Sequence, residues 1–246
     1  MADLVEFEPT LTRAHHAYTL GDGCLGMVEY PNGPGDDELA LRLQRYSALW
    51  NIKIDLRPCL LGGVHKATGN QPPMVNAWKG KNMLEMLPLV AQMMDVQLKR
   101  PKKFPTPTVK VMRILTAIKL SSPEHLAAAS EGMWKLLHCE QGDIDSDEEL
   151  VAKLATIMGT DEAKKMLEAS TSKPVKDELI RATEEAVKEG AFGNPWIVAV
   201  KDGKKVCFFG DDSFERVCFF LGKDNLGPNP SEQIKKLKAT GYSPRL

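Results

Sequence analysis

The sequence has no Cys-x-x-Cys motif. It holds five cysteines, an odd number, and no two of them have the Cys-x-x-Cys spacing. They are Cys24, Cys59, Cys139, Cys207 and Cys218. The absence of a dithiol motif excludes thiol–disulfide exchange by a neighbouring cysteine pair. Scattered single thiols are typical of a reducing, intracellular compartment, where most of them are buried or inert.

Long apolar runs and a surplus of one charge are also missing. The stretch from Met83 to Val96 is interrupted by charged, polar and proline residues, so it falls short of the ~20 residues of a membrane span. With 32 basic and 33 acidic residues the net charge is -1, and no overall field recruits nucleic acid. We therefore expect neither a membrane nor a nucleic-acid partner.

Metal-binding and targeting signals are weak. The five histidines show no metal-ligand spacing, so we expect no metal site. The amino terminus carries acids where a secretory leader carries a basic residue and an apolar run, and we expect an intracellular protein without a cleaved leader. The last three residues, Pro244-Arg245-Leu246, resemble a degenerate peroxisomal address. Cytoplasm and peroxisome are thus the two expected locations, with mitochondria less favoured.

What is present is an ordinary globular chain. Its 246 residues are 43% hydrophobic, 26% charged and 7% aromatic, which indicates one large domain or one domain with an insertion. Residues 1–24 show no sustained period and are interpreted as an N-terminal extension. The next segments predict a strand over 25–30, a helix over 37–50 and a strand over 52–57, which together make a βαβ unit.

The middle of the chain, residues 76–189, reads as helical throughout. Ser122 followed by a proline starts one predicted helix, and a capping-box pattern at Ser146 starts another. Pro174 opens a long amphipathic helix that Gly190 ends.

After Gly190 the period returns to that of a sheet. Residues 195–200 and 205–209 flank Asp202-Gly203, which predicts a hairpin, and residues 213–221 form an amphipathic helix. The element order predicts an α/β protein with a thioredoxin-like fold interrupted by a helical domain.

Five segments, in order, point to a family. They are Leu56-Arg57-Pro58, Thr68-Gly69-Asn70-Gln71-Pro72-Pro73, Trp78-Lys79-Gly80, Gly190-Ala191-Phe192-Gly193-Asn194-Pro195 and Phe209-Gly210-Asp211-Asp212. With them the chain resembles the kappa-class glutathione transferases and the related 2-hydroxychromene-2-carboxylate isomerases, in the DsbA-like branch of thioredoxin folds. The order of the predicted elements makes residues 25–75 plus 190–246 the thioredoxin-like domain and residues 76–189 the inserted helical domain. The resemblance implies glutathione as cofactor or co-substrate, a small apolar electrophile as the other substrate, and a homodimer.

The resemblance assigns one end of the ligand site. Pro195 enters the first strand of the ββα unit, where we expect a cis bond that leaves the peptide groups of Asn194 free for an extended ligand. Asn194 then matches the residue that binds the cysteinyl backbone of glutathione, while Lys79 and Asn70 match the residues that hold a ligand carboxylate. The alternatives are a structural turn proline and a solvated lysine.

At the other end of the ligand the family pattern after Phe-Gly is Ser-Asp-Arg, at a helix N-terminus that receives the γ-glutamyl carboxylate. This chain has Asp211, Asp212 and Ser213 there. Asp212 keeps the acid that pairs with the ligand ammonium, whereas Asp211 replaces a hydroxyl and Ser213 replaces a cation. The alternative is that the three residues only cap the following helix.

The reacting centre departs furthest from the family. Its Ser-Pro-Tyr-Ser segment falls on residues 33–36, which puts Gly33 where the catalytic serine donates a hydrogen bond to the glutathione sulfur. Loss of a preorganised donor to a developing anion predicts a rate cost of about 10²–10³. A shift of one residue would instead put Asn32 at the donor position, with Tyr30 within reach of it. Asp36 is the candidate general base.

Three functions remain open. The first is a kappa-type glutathione transferase with an atypical active-site loop. The second is a catalytically impaired scaffold that acts as a ligand-binding or interaction module, and the third is a pathway-specific glutathione-dependent isomerase. The methionines of the first predicted inserted helix suit either the core or an adaptable acceptor wall.

Overall fold

The computed structural model describes residues 20–21, 45–46, 49–50, 52, 54–72, 75–95, 97–99, 101–102 and 106–240. Two short parallel strands open the described fold. In β1 (Leu20–Gly21) and β2 (Pro58–Cys59), Leu20 pairs with Pro58 and Gly21 with Cys59. Seven helices follow: α1 (Leu61–Thr68), α2 (Ala77–Met94), α3 (Val109–Ser121), α4 (Leu126–His138), α5 (Asp147–Met158), α6 (Thr160–Ala169) and α7 (Lys173–Lys188). The chain continues with β3 (Trp196–Lys201), β4 (Lys204–Phe209), α8 (Phe214–Leu221) and α9 (Pro230–Ala239).

Local capping explains where several of these helices begin and end. The Asn76 side chain accepts hydrogen bonds from the backbone N–H groups of Trp78 and Lys79 at the start of α2. Ser146 accepts from the N–H of Glu149 at 3.3 Å, so the predicted start of α5 is confirmed. Gly190 ends the turn after α7 with a φ of 97°, a conformation that favours glycine.

The predicted hairpin is confirmed. β3 and β4 pair antiparallel, from Trp196 opposite Phe209 to Lys201 opposite Lys204. Asp202 and Gly203 join them with φ angles of 51° and 74°, which is the backbone of a type I′ turn. The turn fixes the register, and the register decides which β3 side chains face each side.

Helices cover both faces of β3. Trp196, Val198 and Val200 belong to one apolar cluster with Leu61 and Val64 of α1 and with Ala186 of α7. Ile197 belongs to a second cluster, on the opposite face, that is formed by residues from the 45–50 segment, α8 and α9. Its buried members are Tyr46, Trp50, Ile197, Phe214, Val217, Cys218, Leu226 and Ile234. Burial of successive side chains on opposite faces is what a strand packed between two layers of helices requires.

The helical domain has its own core. Buried side chains of α3, α4, α5, α6 and α7 form one cluster, and Leu56 joins it from the thioredoxin-like domain. The cluster is continuous with the strand region through α7, which also contributes to the core beside β3. Among the described helices, none has the length and apolarity needed to cross a bilayer.

The first strands differ from expectation. The strand predicted over 52–57 is wrong: residues 52 and 54–57 have no strand pairing, and the strand lies at Pro58–Cys59. The alternation of apolar and polar residues reports which side chains are buried, and not which backbone has a neighbouring strand. The strand that pairs with β2 lies at Leu20–Gly21, within the segment interpreted as an N-terminal extension. The strand expected over 25–30 lies outside the described residues.

Candidate functional site

The site is organised around the start of β3. The peptide bond between Asn194 and Pro195 is cis, as the sequence led us to expect. The carbonyl of Pro195 accepts a hydrogen bond from the N–H of Gly210 at 3.0 Å. This bond joins the start of β3 to the turn after β4, so the two segments lie side by side.

Asn70 lies against the same segment. It follows α1, and its side-chain Nδ2 donates to the carbonyl of Phe192 at 2.6 Å, while its Oδ1 accepts from the N–H of Gln71 at 2.8 Å. Since a carboxamide nitrogen carries two hydrogens, the bond to Phe192 uses one donor of the Asn70 amide. Asn70 is thus brought against the backbone of Phe192, two residues before Asn194.

A buried thiol lies beneath Asn194. Cys59, on β2, is 3% exposed, and its Sγ lies 3.7 Å from Nδ2 and 3.9 Å from Oδ1 of Asn194. Sequence reasoning treated Cys59 as an isolated thiol, because no local spacing relates it to Asn194. Its position shows that the end of β2 supports the Asn194 side chain.

Aromatic rings border the same edge. Phe192 packs on Phe209 with ring centroids 4.5 Å apart and on Trp196 edge to face at 5.7 Å. Gly193 lies between these rings and Asn194, and a Cβ at this position would come within 2.8 Å of the Phe209 ring. The glycine is therefore required by the close approach of the backbone to the ring.

The turn after β4 contains the two acidic residues of the predicted site, Asp211 and Asp212. Asp211–Ser213 form a single 3-10 turn before α8, and Asp212 is exposed. The Ser213 hydroxyl donates to the carbonyl of Phe209 and makes no side-chain cap on α8. The Arg216 Nη1 donates to the Ser213 hydroxyl at 3.0 Å, so a guanidinium lies beside the position where the sequence replaces the family's cation.

Arg216 was missed by sequence reasoning, although a signal was available. Residues three apart on a helix lie on the same side, so Arg216 can reach Ser213, the residue that immediately precedes α8. The three-residue spacing between Ser213 and Arg216 would have been enough to predict this contact.

Arg57 of the Leu-Arg-Pro motif anchors β2. Its guanidinium donates to Asp55 at 2.8 Å and to Glu185 of α7 at 3.0 Å, and Lys119 of α3 reaches the same Asp55 at 2.6 Å. Burial raises the pKa of Asp55, but hydrogen bonds from Lys119 and Arg57 outweigh it and hold that pKa below its ordinary value. This half-buried network ties β2 to the helical domain.

The remaining predicted site residues are placed as follows. Lys79 is exposed in the first turn of α2, and its described hydrogen bond is the backbone one to Asn76. Asn32, Gly33 and Asp36 lie outside the described residues. For Asp211 the structure describes the backbone only. Within the described part of the chain, no group of three or more His, Cys, Asp or Glu side chains is arranged to hold a metal ion.

Comparison with known proteins decides the family. The model of the DsbA-like thioredoxin domain matches residues 39–219. Glutathione S-transferase kappa 1 of Rattus norvegicus is 38% identical over 194 residues, which cover 76% of this chain and 86% of the relative. Glutathione S-transferase kappa 1 of Homo sapiens is 34% identical with the same coverage.

The chain belongs to the kappa-class glutathione transferase family. A solved 2-hydroxychromene-2-carboxylate isomerase has the same fold, with a TM-score of 0.61 at 18% identity over 84% of this chain and 93% of the isomerase. The kappa-class thioredoxin-like fold with an inserted helical domain, expected from the sequence, is thereby confirmed. Within this kappa-class chain, the motif of Asn70 contacts Phe192, and the turn that carries Asp212 begins beside Pro195.

Proposed function

We propose that the protein is a glutathione-dependent transferase of the kappa type that conjugates a small apolar electrophile. The observation that carries the proposal is the hydrogen bond from Asn70 to the carbonyl of Phe192, two residues before Asn194, together with the bond from Gly210 to Pro195. The Gly210 turn lies beside Pro195 because β3 and β4 form a hairpin, whereas Asn70 is 122 residues from Phe192 in sequence. An extended ligand bound along this edge would use both Asn70 and the peptide groups of Asn194.

Each end of glutathione has candidate partners. The peptide groups of Asn194 pair with the cysteinyl backbone, and Asp212 pairs with the ammonium of the γ-glutamyl group. Arg216 supplies the cation for the γ-glutamyl carboxylate, in place of the residue that the sequence lacks at Ser213. Asn70 and Lys79 hold the carboxylate at the other end.

We assign the activation of the glutathione thiol to the loop at residues 32–36. A glutathione thiol is mostly protonated at neutral pH, so the loop must favour its thiolate. We assign that role to the backbone of Gly33 or, with a shift of one residue, to the amide of Asn32. Asp36 is the general base of the same loop.

The second candidate reaction is isomerisation of one specific substrate, with glutathione as cofactor. The solved isomerase shares the fold of this chain, which supports a common scaffold but does not identify the substrate. A homodimer in the cytoplasm or peroxisome is the expected assembly and location.

Calorimetry with glutathione tests the ligand site. Lys79→Ala removes one charged partner and should weaken binding about tenfold. Lys81→Ala is the matched control, because Lys81 is a similarly exposed lysine on the same helix that pairs with Glu85 at 3.8 Å. Equal affinities of the two variants would remove Lys79 from the site, and no binding by the unmodified protein would refute the proposed function.

A conjugation assay with an activated aryl halide then separates the functions. Turnover supports the transferase. Binding without turnover of any general electrophile supports either the impaired scaffold or a specific isomerase, and a screen of aromatic isomerisation substrates distinguishes these two.

A further inference from the structure

The side chain of Asn194 lies on a buried sulfur atom. Asn194 is half-buried and stands two residues before the start of β3. Its Nδ2 lies 3.7 Å and its Oδ1 3.9 Å from Sγ of Cys59 on β2, and Cys59 itself is buried. Because both polar atoms of the carboxamide contact the same sulfur, the orientation of the Asn194 side chain is restricted.

The Asn194 carboxamide retains a donor that the chain does not use. A carboxamide nitrogen carries two hydrogens, and the contact with Cys59 uses at most one of them. Among the described residues, the hydrogen bonds of the Asn194 side chain are those with Cys59, and the backbone N–H and carbonyl of Asn194 make none. Asn194 can therefore offer a ligand its peptide groups and one side-chain N–H together.

The proposed ligand carries its sulfur on the same side as this donor. Two residues that pair opposite each other in neighbouring strands have their side chains on one face, with Cβ atoms ~4.5–5.5 Å apart. In the proposed function the peptide groups of Asn194 pair in this way with the cysteinyl residue of glutathione. The sulfur is one bond from its Cβ and Nδ2 of Asn194 is two bonds from its own, so the two atoms come within hydrogen-bond distance.

We propose that the Asn194 side chain is a further catalytic residue, which donates a hydrogen bond to the thiolate of bound glutathione. The inference rests on the proposed function and adds to it a donor outside the loop at residues 32–36. A carboxamide does not titrate and takes no proton, so the thiol proton passes to Asp36, the proposed base, or to water. A donor beside the sulfur favours the charged form and thereby lowers the pKa of the thiol.

The other amide of the described site is less suited to this role. One hydrogen of Asn70 Nδ2 is bonded to the carbonyl of Phe192, its Oδ1 is bonded to Gln71, and the residue is exposed. Asn194 is half-buried, and a hydrogen bond is electrostatically stronger where water is partly excluded. The surroundings of Asn194 thus suit a donor to an anion better than those of Asn70.

The pKa of enzyme-bound glutathione, measured from the ultraviolet absorbance of its thiolate, tests the role. Asn194→Leu keeps both peptide groups and removes the donor, so it should raise that pKa by about one to two units. At a pH below the thiol pKa, turnover of an aryl halide should then fall at least about tenfold. Asn194→Asp keeps the shape of the side chain and should raise the pKa further, because a negative charge opposes the thiolate.

S-Methylglutathione is the matched control ligand, because it has the same peptide groups and no thiol to ionise. Its affinity, measured by calorimetry, should change less than about twofold in Asn194→Leu, since the backbone of residue 194 remains. Asn194→Asp keeps the pKa measurement available where leucine disturbs the contact with Cys59.

The outcomes separate this inference from the proposed function. An unchanged thiol pKa in both variants, with S-methylglutathione still bound, would overturn the inference and leave the proposed function standing. Weaker binding of S-methylglutathione at an unchanged thiol pKa would also overturn it, because the side chain would then only support the backbone. Failure of the unmodified protein to bind glutathione would refute the proposed function, and the inference with it.

Discussion

Replacement of Gly193 by alanine tests the geometry of the site most directly. The new Cβ would lie 2.8 Å from Cε2 and 3.3 Å from Cζ of Phe209. Ordinary contact begins at 3.4 Å, so the ring or the backbone must move by about 0.6 Å, the difference between 3.4 and 2.8 Å. Gly193 precedes Asn194, and any movement of its backbone therefore shifts the peptide groups proposed to bind glutathione.

The structure limits how this strain is relieved. Phe209 is held between Phe192, whose ring lies 4.5 Å away, and its strand partner Trp196. Overpacking of this kind costs ~1–3 kcal/mol of unfolding free energy. Because a misplacement of ~1 Å costs catalysis about 10²-fold, we expect a shift of half that size to weaken glutathione binding or turnover by roughly tenfold.

Urea unfolding followed by circular dichroism measures the stability, and calorimetry measures glutathione affinity. Phe209→Leu in the Gly193→Ala background removes the clashing ring atoms, so the two changes together should cost less than the sum of the single changes. Gly62→Ala is the control. A Cβ there meets nothing within 4 Å, and alanine in a helix should stabilise the protein by ~0.5–1 kcal/mol.

The result that would refute this reasoning is a Gly193→Ala protein that unfolds at the same urea concentration as the unmodified one. A loss of stability that is additive with Phe209→Leu would show that the ring contact is not its cause. A loss of stability without any change in glutathione affinity would separate Asn194 from the ligand.

Two further predictions concern acid stability and the reacting loop. Burial lowers the pKa of His138 to about 4, and its Nε2 has no hydrogen-bond partner in the described structure. The unfolded chain then binds more protons between pH 6.5 and 4, so stability should fall by roughly 3 kcal/mol as the pH is lowered through this window. His138→Phe should reduce this dependence in urea titrations at several pH values, and an unchanged pH profile would contradict it. Gly33→Ser should raise aryl-halide turnover by about 10²–10³ if Gly33 occupies the donor position, and Asn32→Ser should do so if the alignment is shifted; no gain from either would remove this loop from the proposed mechanism.

Much of the candidate site could be predicted from the order of the sequence motifs along the chain. The motifs that carry Asn70, Asn194 and Asp212 were recognisable as sequence, and the structure places the first beside the second and the turn of the third beside Pro195. Cys59 and Arg216 could not be assigned in the same way. Their relevance comes from contacts with Asn194 and Ser213, and only the contact with Ser213 has a local sequence distance that suggests it.

The sequence by itself determined the elements whose hydrogen bonds are local. The Ser146 cap, the Gly190 turn just after α7 and the Asp202-Gly203 turn involve groups only a few residues apart, so the residue types at those positions suffice. Tertiary structure alone decided that β2 is Pro58–Cys59 and pairs with Leu20–Gly21, because strand pairing joins backbone groups whose separation no local pattern records. It also decided which apolar side of α2 faces inward, since both sides are apolar and only packing against the rest of the chain distinguishes them.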